Sequence, residues 1–407
     1  MDKNTLFTGQ PIFSQLLKLI PRSYIDKHVK ELEADRYYKC FKSYDHLVTM
    51  LFAIFHKCTS IRELTTGMLA CQNKLSHLGL KHSPRKSTIS EANQNRSSEF
   101  FERLYNSLYK LYGKSLPDSR SKNNLTSRLY IADSTTISLF QEILKNAGRT
   151  PVNGKRKGGV KAHVLINAEE DVPCLVRITA ASACDVPFLK ELNLPEGSIV
   201  TFDKGYIDYN QYDLFTKRKI SWVTRMRKGA IYELVIERNI NATQISQGVI
   251  SDQEIIIGNT TNINVTRTRA RLIIFYDNVK NRFFEFITNN FRLSALTIAM
   301  IYKRRWQIEL LFKRIKQNYP LKYFLGDNEN AIRIQIWCAL IADLLIKTVK
   351  RQIKKKWSFA NLASMIRLHL MTYTNLFLFL ENPEKCLLNQ YQIQNKEPTL
   401  FDMGLTF

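Results

Sequence analysis

The spacing of apolar residues changes abruptly near residue 127, and this change limits the possible folds more than any other feature of the chain. Between residues 12 and 112 apolar residues recur at helical spacing, and strand signals are absent. The stretch from Ser115 to Ser127 is polar, lacks periodicity and is typical of a linker. From Arg128 onward, short apolar runs bounded by turn residues predominate. An all-helical N-terminal region followed by a mixed α/β region is therefore expected.

The α/β region begins with alternating strand and helix patterns. Short apolar runs predict strands at residues 128–133, 160–167, 172–179, 198–203 and 220–224. The second and third strands flank an acidic turn, and helical patterns separate the later strands. Asp185 is expected to cap the first of these helices. This order of elements predicts an α/β fold.

A second change of pattern follows this α/β core. Residues from about 225 to 282 form short β-rich runs without a strong helix, and a long helical pattern begins near Leu293. We interpret the β-rich stretch as an insertion before that helix. The chain is thus expected to comprise a helical N-terminal domain (1–122), an α/β domain (127–347) and a basic helical C-terminal region (348–407).

Positive charge is spread along the whole chain rather than confined to a tail. The 407 residues include 60 Lys and Arg against 36 Asp and Glu, which gives a net charge of +24. Such a surplus favours a polyanionic partner, DNA or RNA before an anionic membrane surface. The apolar stretch Ile336–Ile346 is too short to span a bilayer, so no membrane association is expected.

The cysteines and the N-terminus exclude several other classes of protein. Seven Cys residues are scattered and never occur at CxxC spacing, so neither a disulfide framework nor a zinc site is indicated. The first residues are polar and lack the apolar core of a secretory leader. We therefore expect a cytoplasmic protein with reduced thiols.

One helix carries a charged face that is unusual for its mixture of residues. At about 100° per residue, Tyr302, Arg305, Glu309 and Lys316 fall within an arc of roughly 60°. The adjoining arc is apolar and is expected to face a core. Taken alone, the pattern is also typical of an ordinary charged helix surface.

Two further acids lie at the carboxyl ends of predicted strands. Asp133 ends the run before Ser-Thr, and Asp203 precedes Lys-Gly-Tyr. Strand ends are where side chains converge on a site in α/β sheets, although each Asp could equally cap a turn. With Glu309 they form an all-oxygen ligand set that suits Mg²⁺, with Mn²⁺ able to substitute. Two such ions would support in-line phosphoryl displacement.

These motifs, in this order, resemble the DDE transposases of the IS4 insertion-sequence family. The likeness rests on Asp-Ser-Thr at Asp133, Asp-x-Gly-Tyr at Asp203, and the spaced signature of Tyr302, Arg305, Glu309 and Lys316. The resemblance implies an RNase H-like catalytic core with a β-rich insertion before the catalytic glutamate. It also implies C-terminal helices after that core, and catalysis by the three acids with Mg²⁺, most simply as two ions.

The resemblance further implies double-stranded DNA as the partner, at terminal inverted repeats and at the target, and a homodimer acting on paired ends. The basic loop 154–159 is suited to phosphate contact. The residues expected to contact DNA are Tyr302, Arg305, Lys316, Lys204, Lys155, Arg156 and Lys157. Lys204 stands where the family usually has Arg, and an ammonium group cannot bind a phosphate in the bidentate manner of a guanidinium. Cys184 likewise precedes Asp185 where a His-Asp pair is common.

Two other functions are compatible with parts of this pattern. They are a non-transposing RNase H-like nuclease, such as a resolvase, and a domesticated DNA-binding protein that keeps the fold. Within the N-terminal region, residues 87–96 form a polar and basic helix that could enter a DNA groove, with a plain helical bundle as the alternative. His163 is more typical of a structural histidine. Trp222 and Trp306 are more typical of core tryptophans than of residues that stack on a displaced base.

Overall fold

A computed structural model describes residues 9–116, 125, 128–138, 159–258 and 266–386. The chain divides into two compact units, one formed by Met1–Tyr112 with Ile315–Phe407 and the other by Gly113–Arg314. The described α-helices are α1 (Ile12–Leu17), α2 (Arg22–Glu31), α3 (Ser43–His56), α4 (Ile61–Ala70), α5 (Lys86–Asn95), α6 (Glu99–Tyr112), α7 (Val186–Lys190), α8 (Tyr209–Lys217), α9 (Ala242–Ser246), α10 (Ala295–Arg304), α11 (Trp306–Asn318), α12 (Glu329–Gln352), α13 (Phe359–Leu368) and α14 (Leu376–Glu381).

Helix α12 forms the centre of the first unit. Its side chains from Ala331 to Val349 are almost all buried, and it packs against α3, α5, α6 and α13. Helix α3 is similarly apolar, and its residues from His46 to Phe55 are buried. A helix that is hydrophobic on all sides needs neighbours on all sides, which explains why the helices around it collect here.

Local capping fixes where some of these helices begin. The Ser60 hydroxyl accepts a hydrogen bond from the backbone N–H of Glu63 at 3.2 Å, and the Glu63 carboxylate accepts one from the N–H of Thr59 at 2.7 Å. These reciprocal contacts form a capping arrangement at the start of α4. No helix among the described residues combines the length and apolar character needed to cross a membrane.

The second unit is built on a nine-stranded sheet. Its strands are β1 (Leu129–Ser138), β2 (Gly159–Asn167), β3 (Pro173–Ala180), β4 (Ile199–Phe202), β5 (Ser221–Arg225), β6 (Tyr232–Glu237), β7 (Val249–Ile257), β8 (Thr268–Asp277) and β9 (Arg282–Thr288). All five strands predicted before residue 225 are present. Residues 259–265, within the predicted β-rich stretch, lie outside the described residues.

The spatial order of the strands is β3-β2-β1-β4-β5-β9-β8-β7-β6. Strands β1, β4 and β5 are parallel, whereas β2 and β3 form an antiparallel hairpin on β1. Strand β9 pairs with β5, so the β-rich stretch continues the same sheet instead of folding apart from it. The buried core of this unit includes Phe188, Phe202, Tyr212 and Trp222.

The compact units and the predicted domains divide the chain differently. Residues from Ile315 onward belong with the N-terminal helices, because α12 buries its apolar surface against α3 and α6. The boundary between the units falls inside α11. The division into domains at 1–122, 127–347 and 348–407 remains a prediction, and parts of each range lie outside the described residues.

Candidate active site

The sheet brings Asp133 and Asp203 to the same level. Asp203 directly follows β4, whereas β1 continues past Asp133 to Ser138, so the prediction that Asp133 ends its strand is wrong. Strands β1 and β4 are parallel neighbours in which Ala132 is opposite Phe202. Asp133 and Asp203 are the next residues along the two strands and therefore emerge at the same level. The Asp133 side chain is 15% exposed and that of Asp203 is 33% exposed, so both carboxylates are partly withdrawn from solvent.

The helix signature contacts both of these acids. The Tyr302 hydroxyl donates a hydrogen bond to Asp203 Oδ1 at 3.2 Å. Arg305 Nη1 donates to Asp133 Oδ2 at 2.5 Å, and Arg305 Nη2 lies 3.4 Å from Glu309 Oε1. One guanidinium thus bridges the first and third acids, and one phenol bonds the second. Together they link all three acids to the same pair of helices.

The helical pattern is interrupted at the residue that forms this bridge. The sequence predicts one continuous helix from about Leu293, but α10 ends at Arg304 and α11 begins at Trp306. Arg305 lies between them and keeps helical dihedral angles, φ −51° and ψ −30°. Glu309 lies in the first turn of α11, where the helix dipole favours a carboxylate.

Burial and charge change the acidity of these groups. Burial raises the pKa of Asp133 to about 6, against the opposing effects of Arg305 and of the Ser134 N–H, and the charges of Glu309 and Asp203 add to the rise. Burial alone would lower the pKa of Arg305, but the neighbouring acids, chiefly Asp133, raise it. Burial also raises the pKa of Tyr302, so its hydroxyl remains a neutral donor.

Arg225 belongs to this site although the motifs do not single it out. Its Nη2 lies 3.6 Å from Asp203 Oδ1, and its side chain is 26% exposed. Its position in the sequence could have indicated this, because Arg225 ends β5, the parallel neighbour of β4. Its side chain therefore lies at the same level as that of Asp203. The guanidinium also lies 5.7 Å from the ring centroid of Tyr302.

Asp185 has a different role from the predicted helix cap. Asp185 occupies the predicted N-cap position of α7, but its side chain makes no capping hydrogen bond. Instead Asp185 Oδ1 accepts a hydrogen bond from the Ser134 hydroxyl at 2.9 Å and another from Lys161 Nζ at 3.2 Å. His163 Nδ1 lies 3.4 Å from the same oxygen, and its ring stacks on Phe188. His163 is 1% exposed, as expected of a structural histidine.

The other residues predicted to contact DNA are exposed or lie outside the described residues. Lys204 is exposed directly after Asp203, and Lys316 is exposed further along α11 from Glu309. Lys155, Arg156 and Lys157 lie outside the described residues.

The two tryptophans behave differently. Trp222 is fully buried and stacks on Tyr212 with ring centroids 4.5 Å apart, so the prediction of a core residue is confirmed for it. Trp306 is 57% exposed, and the same prediction is wrong there. The cause is its position on α11, where the apolar face is formed by Ile308 and Leu311.

A cavity of about 940 Å³ adjoins the site. Residues of the β8–β9 hairpin and of α10 and α11 line it, including Arg282, Phe284 and Trp306, and it reaches Tyr302 and Arg305. Phe284 and Phe286 stack with their ring centroids 5.7 Å apart, and Arg282 lies over the Phe284 ring. The lining is thus aromatic and basic.

The three acids offer only oxygen ligands, the donor type that Mg²⁺ prefers. Their charges act on one another, since Glu309 and Asp203 both raise the pKa of Asp133. Across the described residues, however, no group of three or more His, Cys, Asp or Glu side chains is close enough together to hold a metal ion. Arg305, which bridges two of the acids, supplies positive charge between them.

Comparison with known proteins assigns this chain to a family. The transposase DDE domain family (DDE_Tnp_1) matches residues 124–345, more than half of the chain. The chain therefore belongs to the DDE transposases. A second family, described only as a domain of unknown function (DUF4372), matches residues 8–81.

Its relatives identify the protein more narrowly as an IS4-family transposase of an insertion sequence. The transposase for element IS5377 of Geobacillus stearothermophilus is 30% identical over 66% of this chain and 68% of its own length. The transposase y4zB of Sinorhizobium fredii is 29% identical over 66% and 72%, and that for element IS4SA of Synechocystis is 26% identical over 64% and 70%. A piggyBac transposase synaptic complex with hairpin DNA is weakly similar, with a TM-score of 0.42 and 11% identity over 96% of this chain and 83% of that one.

Proposed function

We propose that Asp133, Asp203 and Glu309 are the catalytic acids of this transposase, and that they cleave DNA at the ends of its element and join those ends to a target. The observation that supports this most is the pair of contacts from one helix signature: Tyr302 to Asp203, and Arg305 to Asp133 and Glu309. Residues far apart in sequence thereby converge on one site within a chain that belongs to the transposase DDE family.

Asp133, Asp203 and Glu309 are the residues that would hold Mg²⁺, through their carboxylate oxygens. Bound Mg²⁺ would activate the attacking water or 3′-hydroxyl and offset charge at the phosphate. In the protein alone, Arg305 balances the charge of Asp133 and Glu309. The neutral Tyr302 hydroxyl donates a hydrogen bond that orients Asp203, and Arg225 adds positive charge beside the same carboxylate.

The arrangement of the sheet supports the RNase H-like core that the family resemblance implies. Strands β1, β4 and β5 are parallel, and an antiparallel hairpin flanks β1. Asp203 follows the carboxyl end of β4, and Asp133 lies within β1. Strands β6 to β9 lie between this core and Glu309 in sequence, as expected for the β-rich insertion. The domain from 127 to 347 is proposed on this basis.

The proposed partner is double-stranded DNA carrying terminal inverted repeats. The net charge of +24 supplies a long-range attraction for phosphates. Tyr302, Arg305 and Lys316, with Lys204, are proposed to contact the backbone near the scissile bond. The loop residues Lys155, Arg156 and Lys157 are proposed to do so as well. Two copies acting on paired ends would form the active complex.

The test is cleavage of a duplex that carries the element's own end, in Mg²⁺, by D133N, D203N and E309Q. Each variant should lose about 10³-fold or more of the cleavage rate, because metal-assisted charge stabilisation contributes several kcal/mol to the transition state. Binding to the same duplex in Ca²⁺ should stay within a few-fold, since the amides keep the shape of the side chains.

The matched control is D213N, because Asp213 is also a partly exposed aspartate but pairs with Lys217 on α8. It should cleave at the rate of the unmodified protein. Cleavage at that rate by any of the three acid variants would contradict the assignment of that acid.

A further inference from the structure

A short segment joins the sheet to the helices that carry the signature. It runs from Asn289 to Leu293, between the end of β9 and Ser294, whose hydroxyl caps α10. The Asn289 side chain bonds the N–H of Trp222 and the carbonyl of Ile220, both near the start of β5. One end of this segment is therefore fixed to the parallel core.

The other end is held by a buried arginine of β8. Arg271 is 2% exposed and makes a bidentate pair with Asp252 of β7, at 2.7 Å from Nε and 2.6 Å from Nη2. Its remaining nitrogen, Nη1, donates to the backbone carbonyls of Asn290 at 3.1 Å and Leu293 at 2.5 Å. The guanidinium thus joins the β-rich insertion to the residue directly before the α10 cap.

A neighbouring arginine strengthens the same connection. Arg238 Nη2 donates to the carbonyl of Phe291 at 3.1 Å, and its Nη1 donates to Glu254 of β7 at 2.8 Å. Three carbonyls of the segment, those of Asn290, Phe291 and Leu293, are thus held by arginines of the insertion. Helix α10 then runs from Ala295 to Arg304 and carries Tyr302, and Arg305 follows it directly.

We infer that Arg271 is a positioning residue for the proposed strand cleavage: by fixing the start of α10 it sets where Tyr302 and Arg305 meet Asp203 and Asp133. This inference rests on the proposed function. It gives the β-rich insertion a structural role besides any contact with DNA, because strands β7 and β8 fix the position of helix α10 and so of the residues that follow it.

Stability alone is a weak explanation for this pair. A buried ion pair is often replaceable by apolar residues of similar volume without loss of stability, because desolvation offsets the attraction between the charges. The contacts of Arg271 with the Asn290 and Leu293 carbonyls have a different consequence. They fix the start of α10, and the residues at the other end of α10 contact the proposed catalytic acids. A displacement of about 1 Å at such a site can reduce a rate about 10²-fold.

The experiment separates these two roles with the double variant D252L/R271M. Removing both charges should return the melting temperature close to that of the unmodified protein. R271M alone removes the bidentate partner of buried Asp252 and leaves it Arg238 Nε at 3.7 Å, so this variant should melt lower. Single-turnover cleavage of the element end by D252L/R271M should still be reduced about 10- to 100-fold, because the Asn290 and Leu293 carbonyls are then no longer held by a guanidinium. The dissociation constant for the same duplex should change less than about threefold.

R271K provides a second test that does not depend on the double variant folding. Lysine keeps the charge but cannot make the bidentate pair and both carbonyl contacts together, so a folded R271K should show the same loss of rate with unchanged DNA affinity. The control is R267A directly before the same strand, since Arg267 is 46% exposed and pairs with Glu233 of β6. It should cleave normally.

D203N run in parallel separates the two proposals. If the unmodified protein cleaves only when Asp203 is intact, yet D252L/R271M or R271K cleaves at the unmodified rate, the inference about Arg271 is wrong and the proposed function stands. If cleavage persists in D203N, the proposed function itself is wrong.

Discussion

Arg305 is expected to make two interactions, with the acids and with a DNA phosphate, that one side chain cannot make at once. Its guanidinium is 13% exposed and bonds Asp133 and Glu309, yet the family signature implies that it contacts a DNA phosphate. In the protein alone, the acids are the nearest anions and hold it. Binding of DNA with a divalent cation would supply both a competing anion and a replacement for the positive charge between the acids.

A double-mutant cycle on Arg305 and Asp133 measures how strongly these two side chains interact in the protein alone. We expect R305Q, D133N and the double variant to give a coupling energy of about 1–3 kcal/mol in urea unfolding at pH 8, since the pair is largely buried. The coupling should shrink at pH 5, because Asp133, with a pKa of about 6, is then protonated in the folded protein. The exposed pair Arg333–Glu329 should couple by less than about 0.5 kcal/mol. Equal coupling at both pH values would contradict the raised pKa of Asp133.

Residue motifs predict candidate acids but not what surrounds them. Asp133 and Asp203 can be predicted because each ends an apolar run, and parallel strands bring such ends together. Arg225 carries no motif, and only the pairing of β4 with β5 places it beside Asp203. The contact between Asp185 and Ser134 also depends on tertiary packing, since the two lie on different elements.

At the scale of elements, periodicity predicts which helices and strands exist but not how they are assembled. The buried run in α3 predicts a core helix, and the structure confirms it. Nothing in the local pattern of α12 indicates that its partners are α3 and α6, because the residues it contacts lie more than two hundred positions earlier. Nor does periodicity predict the break at Arg305, which keeps helical angles.

His46 on α3 makes the helical unit sensitive to acid. It is fully buried, its Nε2 donates to Asn93 Oδ1 at 2.8 Å, and burial lowers its pKa to about 3. Between pH 6.5 and 3 the unfolded chain therefore binds a proton that the folded chain does not, so stability falls as the pH falls. We expect this residue to account for a loss of about 2 kcal/mol in unfolding free energy between pH 7 and pH 5.

Comparing the unmodified protein with H46Q isolates this contribution, because every other titrating group is common to both. The glutamine amide can still donate to Asn93, but it cannot bind a proton. Urea unfolding followed by circular dichroism should show a shallower loss of stability with acid in H46Q. Parallel curves for the two proteins would mean that His46 is protonated in the folded state.

At the scale of the whole molecule, the chain cannot be divided at the linker. Helix α12 is buried against α3 and α6 within one compact unit, so removing residues 1–112 would expose a long apolar surface. Such a fragment is expected to aggregate, and its failure to bind DNA would say nothing about recognition. Sequence reading by the N-terminal helices must therefore be tested by substitutions on the surface of the intact protein.

Helix α5 offers the surface for that test. Lys86, Ser87, Ser90 and Gln94 are exposed, whereas Asn93 and Arg96, which the sequence also suggests for a groove-entering face, are buried and bonded inside the unit. We expect S90A/Q94A to reduce the preference for the element end over random DNA by about 1–3 kcal/mol for each base that the variant no longer recognises. K86A should weaken binding to both duplexes alike and lower the salt dependence by about one unit.

The control is K27A, because Lys27 is an exposed lysine of α2 paired with Glu31. It removes the same charge from a surface that no motif connects with DNA, so its salt dependence should change less than that of K86A. If S90A/Q94A still prefers the element end by the same ratio, base recognition lies outside α5. The β8–β9 hairpin beside the cavity would then be the next surface to test. Its Phe284 stacks on Phe286, and Phe286 contacts the ring of Tyr302, whose hydroxyl bonds Asp203.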